Sequence, residues 1–183
     1  VGGDETDPAG PYADGMALIR EGGLAASGLR EIGLPGYPEG HPRIPLPVLE
    51  RAFAEKLALA AKEGLGSYVL TQFSFAPARV VEYCASLARW APLVPVYVGI
   101  AGPTDPIALL RFAQRCGVSA SLRALRRQGM DAVRLVTHTD PVDQLAALAR
   151  YCGAHSDCNV MGVHLFTFGG VGGNTLFITT DSA

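Results

Sequence analysis

The chain has 183 residues, 49% of them hydrophobic and 17% charged, with a formal net charge of −2. That length suits one domain with a sizeable core. The composition is too apolar for intrinsic disorder and too balanced in charge for a nucleic-acid surface. No apolar run reaches the roughly 18 residues that a membrane helix needs. The four cysteines are scattered and too few for a disulfide scaffold, so reduced thiols in a cytoplasmic protein are expected.

The first residues, Val1 to Asp4, read as the end of a strand followed by a loop. Nothing before them builds that strand, so the chain is expected to be the C-terminal part of a longer one. Residues 14–28 carry apolar groups at helical spacing, with Asp14 as N-cap and Gly22 and Gly23 weakening the helix. A short strand is expected over 30–36. The stretch Gly36-Tyr-Pro-Glu-Gly-His-Pro42 must be a loop, because its prolines and glycines continue neither a helix nor an inner strand.

The clearest helix spans 47–64, with Pro47 in its first turn and Gly64 at its C-terminus. A strand follows over 67–75, and Pro77 opens a helix over 77–91. The β-branched run over 93–100 is a strand, followed by helices over 106–116 and 119–129. A helix over 140–153 and a strand over 160–168 complete the pattern. About five strands alternate with helices, which predicts parallel βαβ units in an α/β fold. A doubly wound sheet and a (β/α)8 barrel both fit this alternation.

In either architecture the ligand sits at the C-terminal ends of the strands. Those ends carry Asp4, the 37–41 loop, Thr71 and Gln72, Gly99, and the segment from His164 to Gly170. Each polar group alone has a structural explanation as a cap, a turn residue or a satisfied buried amide. Together at one rim they point to a site. The chain has no Gly-x-Gly-x-x-Gly, no P-loop and no Gly-x-Ser-x-Gly elbow, and Gly169 to Gly173 has the wrong spacing for a phosphate loop. Cys152, His155 and Cys158 offer zinc one ligand fewer than its usual four, at a helix end preceding a strand. They are expected to be two small thiols and a surface imidazole, with no metal.

The loop Gly36-Tyr-Pro-Glu-Gly-His-Pro42, followed by Leu70-Thr-Gln-Phe73, resembles the methylenetetrahydrofolate reductase family. There a Tyr-Pro-Glu-x-His-Pro loop precedes a helix and a strand ending in Thr-Gln-Phe. Gly3-Asp4 is similar to the family's Arg-Gly-Asp segment, and VYVGI over 96–100 to its strand ending in Pro-Gly-Ile. His164-Leu-Phe-Thr-Phe168 is similar to its His-Phe-Tyr-Thr-Leu segment. The order agrees from residue 1 to about 170.

The resemblance implies a partial (β/α)8 TIM barrel, roughly the last five of its eight strands, forming one domain over 1–183. It implies FAD as cofactor and NAD(P)H as co-substrate, with hydride passed to methylenetetrahydrofolate to give methyltetrahydrofolate by the full-length protein, this part alone being expected to be inactive. Asp4 would be catalytic beside flavin and folate, stabilising the cation formed as the folate ring opens. Tyr12, Ala13, Tyr37, His41 and Lys56 would hold the cofactor. Gln72 would bind the pterin ring, since an amide offers both donor and acceptor. The implied partners are a folate small molecule and further copies of the chain, with neither nucleic acid nor membrane.

Gly2 stands where the family has Arg, and Gly169 and Gly170 where it has Asn-Arg. The family's general-acid Glu near the first strand is absent from this chain. The alternatives are a flavin- or folate-binding barrel relative without hydride transfer, a subunit completed by another chain, or an enzyme of another one-carbon carrier.

Overall fold

A computed structural model describes residues 10–102, 109, 111–113, 118 and 141–167. The expected strand at 1–4, Asp4, the 119–129 helix and the glycine run from Gly169 lie outside these residues. Of the expected 106–116 helix, residues 109 and 111–113 are described, and they are helical.

Helix α1 spans Gly15–Glu21, and the Asp14 carboxylate accepts the Ala17 N–H at 2.8 Å. It stops well short of residue 28, because the backbone turns at Gly23 with a φ of 59°. That left-handed conformation suits glycine. Strand β1 covers Glu31–Gly36 and helix α2 covers Leu46–Lys62, ending before Gly64 at a φ of 73°. Strand β2 spans Gly66–Thr71, helix α3 Pro77–Trp90 and strand β3 Val96–Ala101. Helix α4 spans Pro141–Ala154 and strand β4 Val160–Phe166.

Strand β2 is shorter than the apolar run that predicted it. Its partner β1 ends at Gly36, opposite Thr71, so residues 72–75 have no ladder to join and leave the sheet. Strand β3 starts late, because residues 91–94 form a turn closed by Val94 N–H to the Ala91 carbonyl.

The four strands form one parallel sheet in the order β1-β2-β3-β4. Val69, Val96 and Val98 are fully buried on one face, under Val80, Cys84 and Leu87 of α3 and Leu148 and Tyr151 of α4. Phe53 of α2 packs against the same cluster. The opposite face carries Glu31, Gly33 and Tyr97, all exposed. A second cluster lies beyond the strand ends, where Phe73 and Phe75 meet Leu109, Ala113 and Val118. A third joins Ile19 of α1 to Ala60 and Leu65.

The expectation of reduced thiols fails for Cys152 and Cys158, which form a disulfide with Cα atoms 5.3 Å apart. The last turn of α4 brings Cys152 back over the short connection to β4, within bridging reach. Cys84 remains a free, buried thiol. No described helix is long and apolar enough to cross a membrane.

Candidate functional site

The strand ends are level in pairs, β1 with β2 and β3 with β4, and β3 runs on past the end of β2. Gly36 is in register with Thr71, and Gly99 with His164. Beyond the ladder, Gln72 N–H donates to the Gly36 carbonyl at 2.8 Å. The Thr71 hydroxyl accepts the Gly99 N–H at 2.9 Å and donates to the Gln72 carbonyl at 3.0 Å. Gly99 leaves no room for a side chain, because a Cβ there would run into the Thr71 carbonyl and the Phe166 ring.

The 37–41 loop rises from the end of β1. Pro38 presets the first central position of a tight turn that Gly40 N–H closes onto the Tyr37 carbonyl at 3.0 Å. Gly40 has a φ of 77°, which disfavours any side chain. The turn sets Tyr37 and His41 edge to face, with ring centroids 5.5 Å apart. His41 Nδ1 accepts the Arg43 N–H at 3.2 Å. The neutral ring therefore carries its proton on Nε2, as a donor.

The root of this loop is held from the helix side. The Tyr83 hydroxyl of α3 lies where a side chain on Gly36 would sit. Burial pushes this hydroxyl well above the usual tyrosine range, partly offset by a hydrogen bond with the Tyr37 backbone, so it stays protonated. The tip is held by Ser74, which is buried and donates to the Glu39 carboxylate at 2.6 Å.

The expected site residues thus divide into two groups. Tyr37 and His41 pack together beyond the end of β1, and Gln72, just past β2, is tied by its backbone N–H to the root of their loop. Lys56, from the middle of α2, is half-buried, and its Cε would touch a methyl group on Gly15 at 3.6 Å. That places Lys56 next to the Tyr12–Ala13 segment leading into α1, where Tyr12 is half-buried and Ala13 exposed. The sequence reading missed Glu39, Ser74 and Tyr83. Glu39 lies inside the motif, but nothing local signals its partner 35 positions away.

The Cys-x-x-His-x-x-Cys segment is not assembled as a metal centre. Its cysteines are paired, and His155 Nδ1 lies 2.8 Å from the Tyr151 carbonyl, its ring against the Tyr151 ring. No group of three or more His, Cys, Asp or Glu side chains among the described residues is arranged to hold a metal. A shallow depression of about 380 Å³ lies away from the 37–41 loop, on the open sheet face between Glu31, Tyr68, Tyr97 and His164.

The rim therefore offers an aromatic pair, an imidazole N–H donor and a neutral amide on one rigid edge. A separate ammonium group lies beside the start of α1. No protein-family model matches the chain.

Proposed function

We propose that the chain is a methylenetetrahydrofolate reductase-like oxidoreductase, with the described strands forming an arc of a (β/α)8 barrel. The sequential order of parallel strands with helices on one face supports the barrel. The observation that carries the functional reading is the bond from Gln72 N–H to the Gly36 carbonyl at 2.8 Å. It sets the amide expected to bind substrate directly beside the loop expected to hold the cofactor.

The donor set suits FAD. A half-buried ammonium can take a phosphate, an aromatic pair can flank a planar ring, and an imidazole N–H can donate to a ring acceptor. When bound, FAD supplies the hydride relay between NAD(P)H and the folate. Tyr37 packs on the cofactor, His41 donates from Nε2, and Lys56 pairs with phosphate next to Tyr12 and Ala13. Gln72 reads the pterin edge, and the Asp4 carboxylate stabilises the positive charge that develops on the folate. Cytoplasmic action is part of the same proposal.

The test is the visible absorption, with added FAD, of the protein purified from its full-length reading frame. Uptake of flavin, bleaching by NADH or NADPH, and recovery with methylenetetrahydrofolate are expected. Uptake without bleaching would make the chain a flavin-binding relative without hydride transfer. A protein that takes up no FAD would sink the reading.

A further inference from the structure

We infer that Ser74 and Glu39 are a positioning pair, whose hydrogen bond locks the 37–41 loop to the segment carrying Gln72 so that both move as one unit. The inference deepens the reading above and rests on it for the ligands, but not for the mechanical link.

The geometry leaves the Ser74 hydroxyl one role. It accepts the Ala76 N–H at 3.0 Å, and its own proton goes to Glu39 at 2.6 Å. The other acceptor within reach, the Ala76 carbonyl, is at 3.4 Å and is much poorer. A hydroxyl donating to a carboxylate makes a short, charge-assisted bond, about twice as strong as a neutral one. Ser74 cannot swing away to water. It is 6% exposed, and its neighbours Phe73 and Phe75 are both buried and packed edge to face.

Both ends of the bond are stiff. Glu39 sits in the middle of the turn that Gly40 closes, between Tyr37 and His41. Ser74 is tied through Ala76 to the start of α3, and Gln72 lies two residues before it, bonded to Gly36. The two loops share no ladder beyond Thr71, and this side-chain bond and the Gln72 amide both bridge them. A ligand that orders one loop then favours binding at the other by the same factor.

The test compares the unaltered protein with Glu39→Ala, Ser74→Ala and the double variant. Amide hydrogen exchange is read first, without ligand. Gly40 and Gln72 are expected to lose protection together, about tenfold, in each variant, while Val98 in β3 is unchanged. The double variant should lose no more than either single one, because both remove one bond. Loss at Gly40 without loss at Gln72, or additive losses, would overturn the link. Glu39→Ala, in a half-buried loop, decides the matter alone should Ser74→Ala not fold.

Flavin fluorescence then reads FAD affinity in the same proteins. All three variants are expected to weaken binding by a similar factor. Equal affinity across the set would overturn the positioning role for the cofactor. An unaltered protein that binds no FAD, yet shows coupled exchange, would remove the flavin reading and leave the link standing.

Discussion

Thr71 Oγ1 accepts the Gly99 N–H at 2.9 Å, joining β2 to β3 near the rim of the sheet. The backbone register of these two strands covers only Val69 with Val96 and Leu70 with Tyr97, so a side chain completes the seam. Thr71 is fully buried, and its removal would leave a buried donor unpaired. Thr71→Val is expected to cost ~1–3 kcal/mol. Thermal unfolding followed by circular dichroism should show a fall in Tm of ~2–4 °C per kcal/mol for a chain of this size. An unchanged Tm would show that water or a backbone shift replaces the bond.

The Cys84 thiol is fully buried, and that burial raises its pKa from 9.0 to about 12. In the unfolded chain the thiol ionises as the pH passes 9, whereas the folded chain keeps its proton. The unfolded state then binds fewer protons, so stability present below pH 9 falls as the pH rises towards 12. Burial raises Tyr83 and Tyr151 as well, with the same sign. Urea unfolding between pH 8 and 11 should give a declining free energy, with a shallower slope in Cys84→Ala. A slope unaffected by that substitution would assign the decline to the tyrosines.

His41 offers a donor from Nε2 because Nδ1 is already engaged by Arg43 N–H. Under the proposed function, His41→Ala removes one hydrogen bond to the cofactor, worth about 0.5–1.5 kcal/mol. FAD affinity should fall roughly three- to tenfold. Fluorescence titration checks this, and an unchanged affinity would take His41 out of the cofactor site.

Under the proposed function, Gln72 acts on the substrate and not on the cofactor. Its backbone N–H holds Gly36, while its half-buried carboxamide makes no hydrogen bond among the described residues. Gln72→Ala keeps the backbone bond and removes the amide. Bleaching of bound flavin by NAD(P)H should proceed at the original rate, while KM for methylenetetrahydrofolate rises about tenfold. Slower bleaching with unaltered KM would move Gln72 to the nicotinamide step.

Much of the layout was legible because its signals act within a turn or two of chain. Asp14 reaches the Ala17 N–H three residues on, Pro77 starts α3, and Gly64 takes the left-handed φ that ends the α2 region. The β-branched run in β3 packs Val96, Val98 and Ile100 into the core at strand period. The apolar run over 67–75 reads as one strand, but only Gly66–Thr71 is strand, since burial of Phe73 and Phe75 comes from a cluster beyond the sheet.

The sequence by itself therefore determined the order and type of the described elements and the turn that holds Tyr37 and His41. Only the tertiary structure decided which of those residues share a site. Glu39 meets Ser74 across 35 positions and Thr71 meets Gly99 across 28, because parallel strand register brings these distant segments side by side. Lys56 was decided in the same way. Its helix packs along α1, with Ile19 against Ala60, and this sets Lys56 beside Gly15. Caps and periodicity are written in neighbouring residues, whereas register and helix packing come from the whole core closing at once.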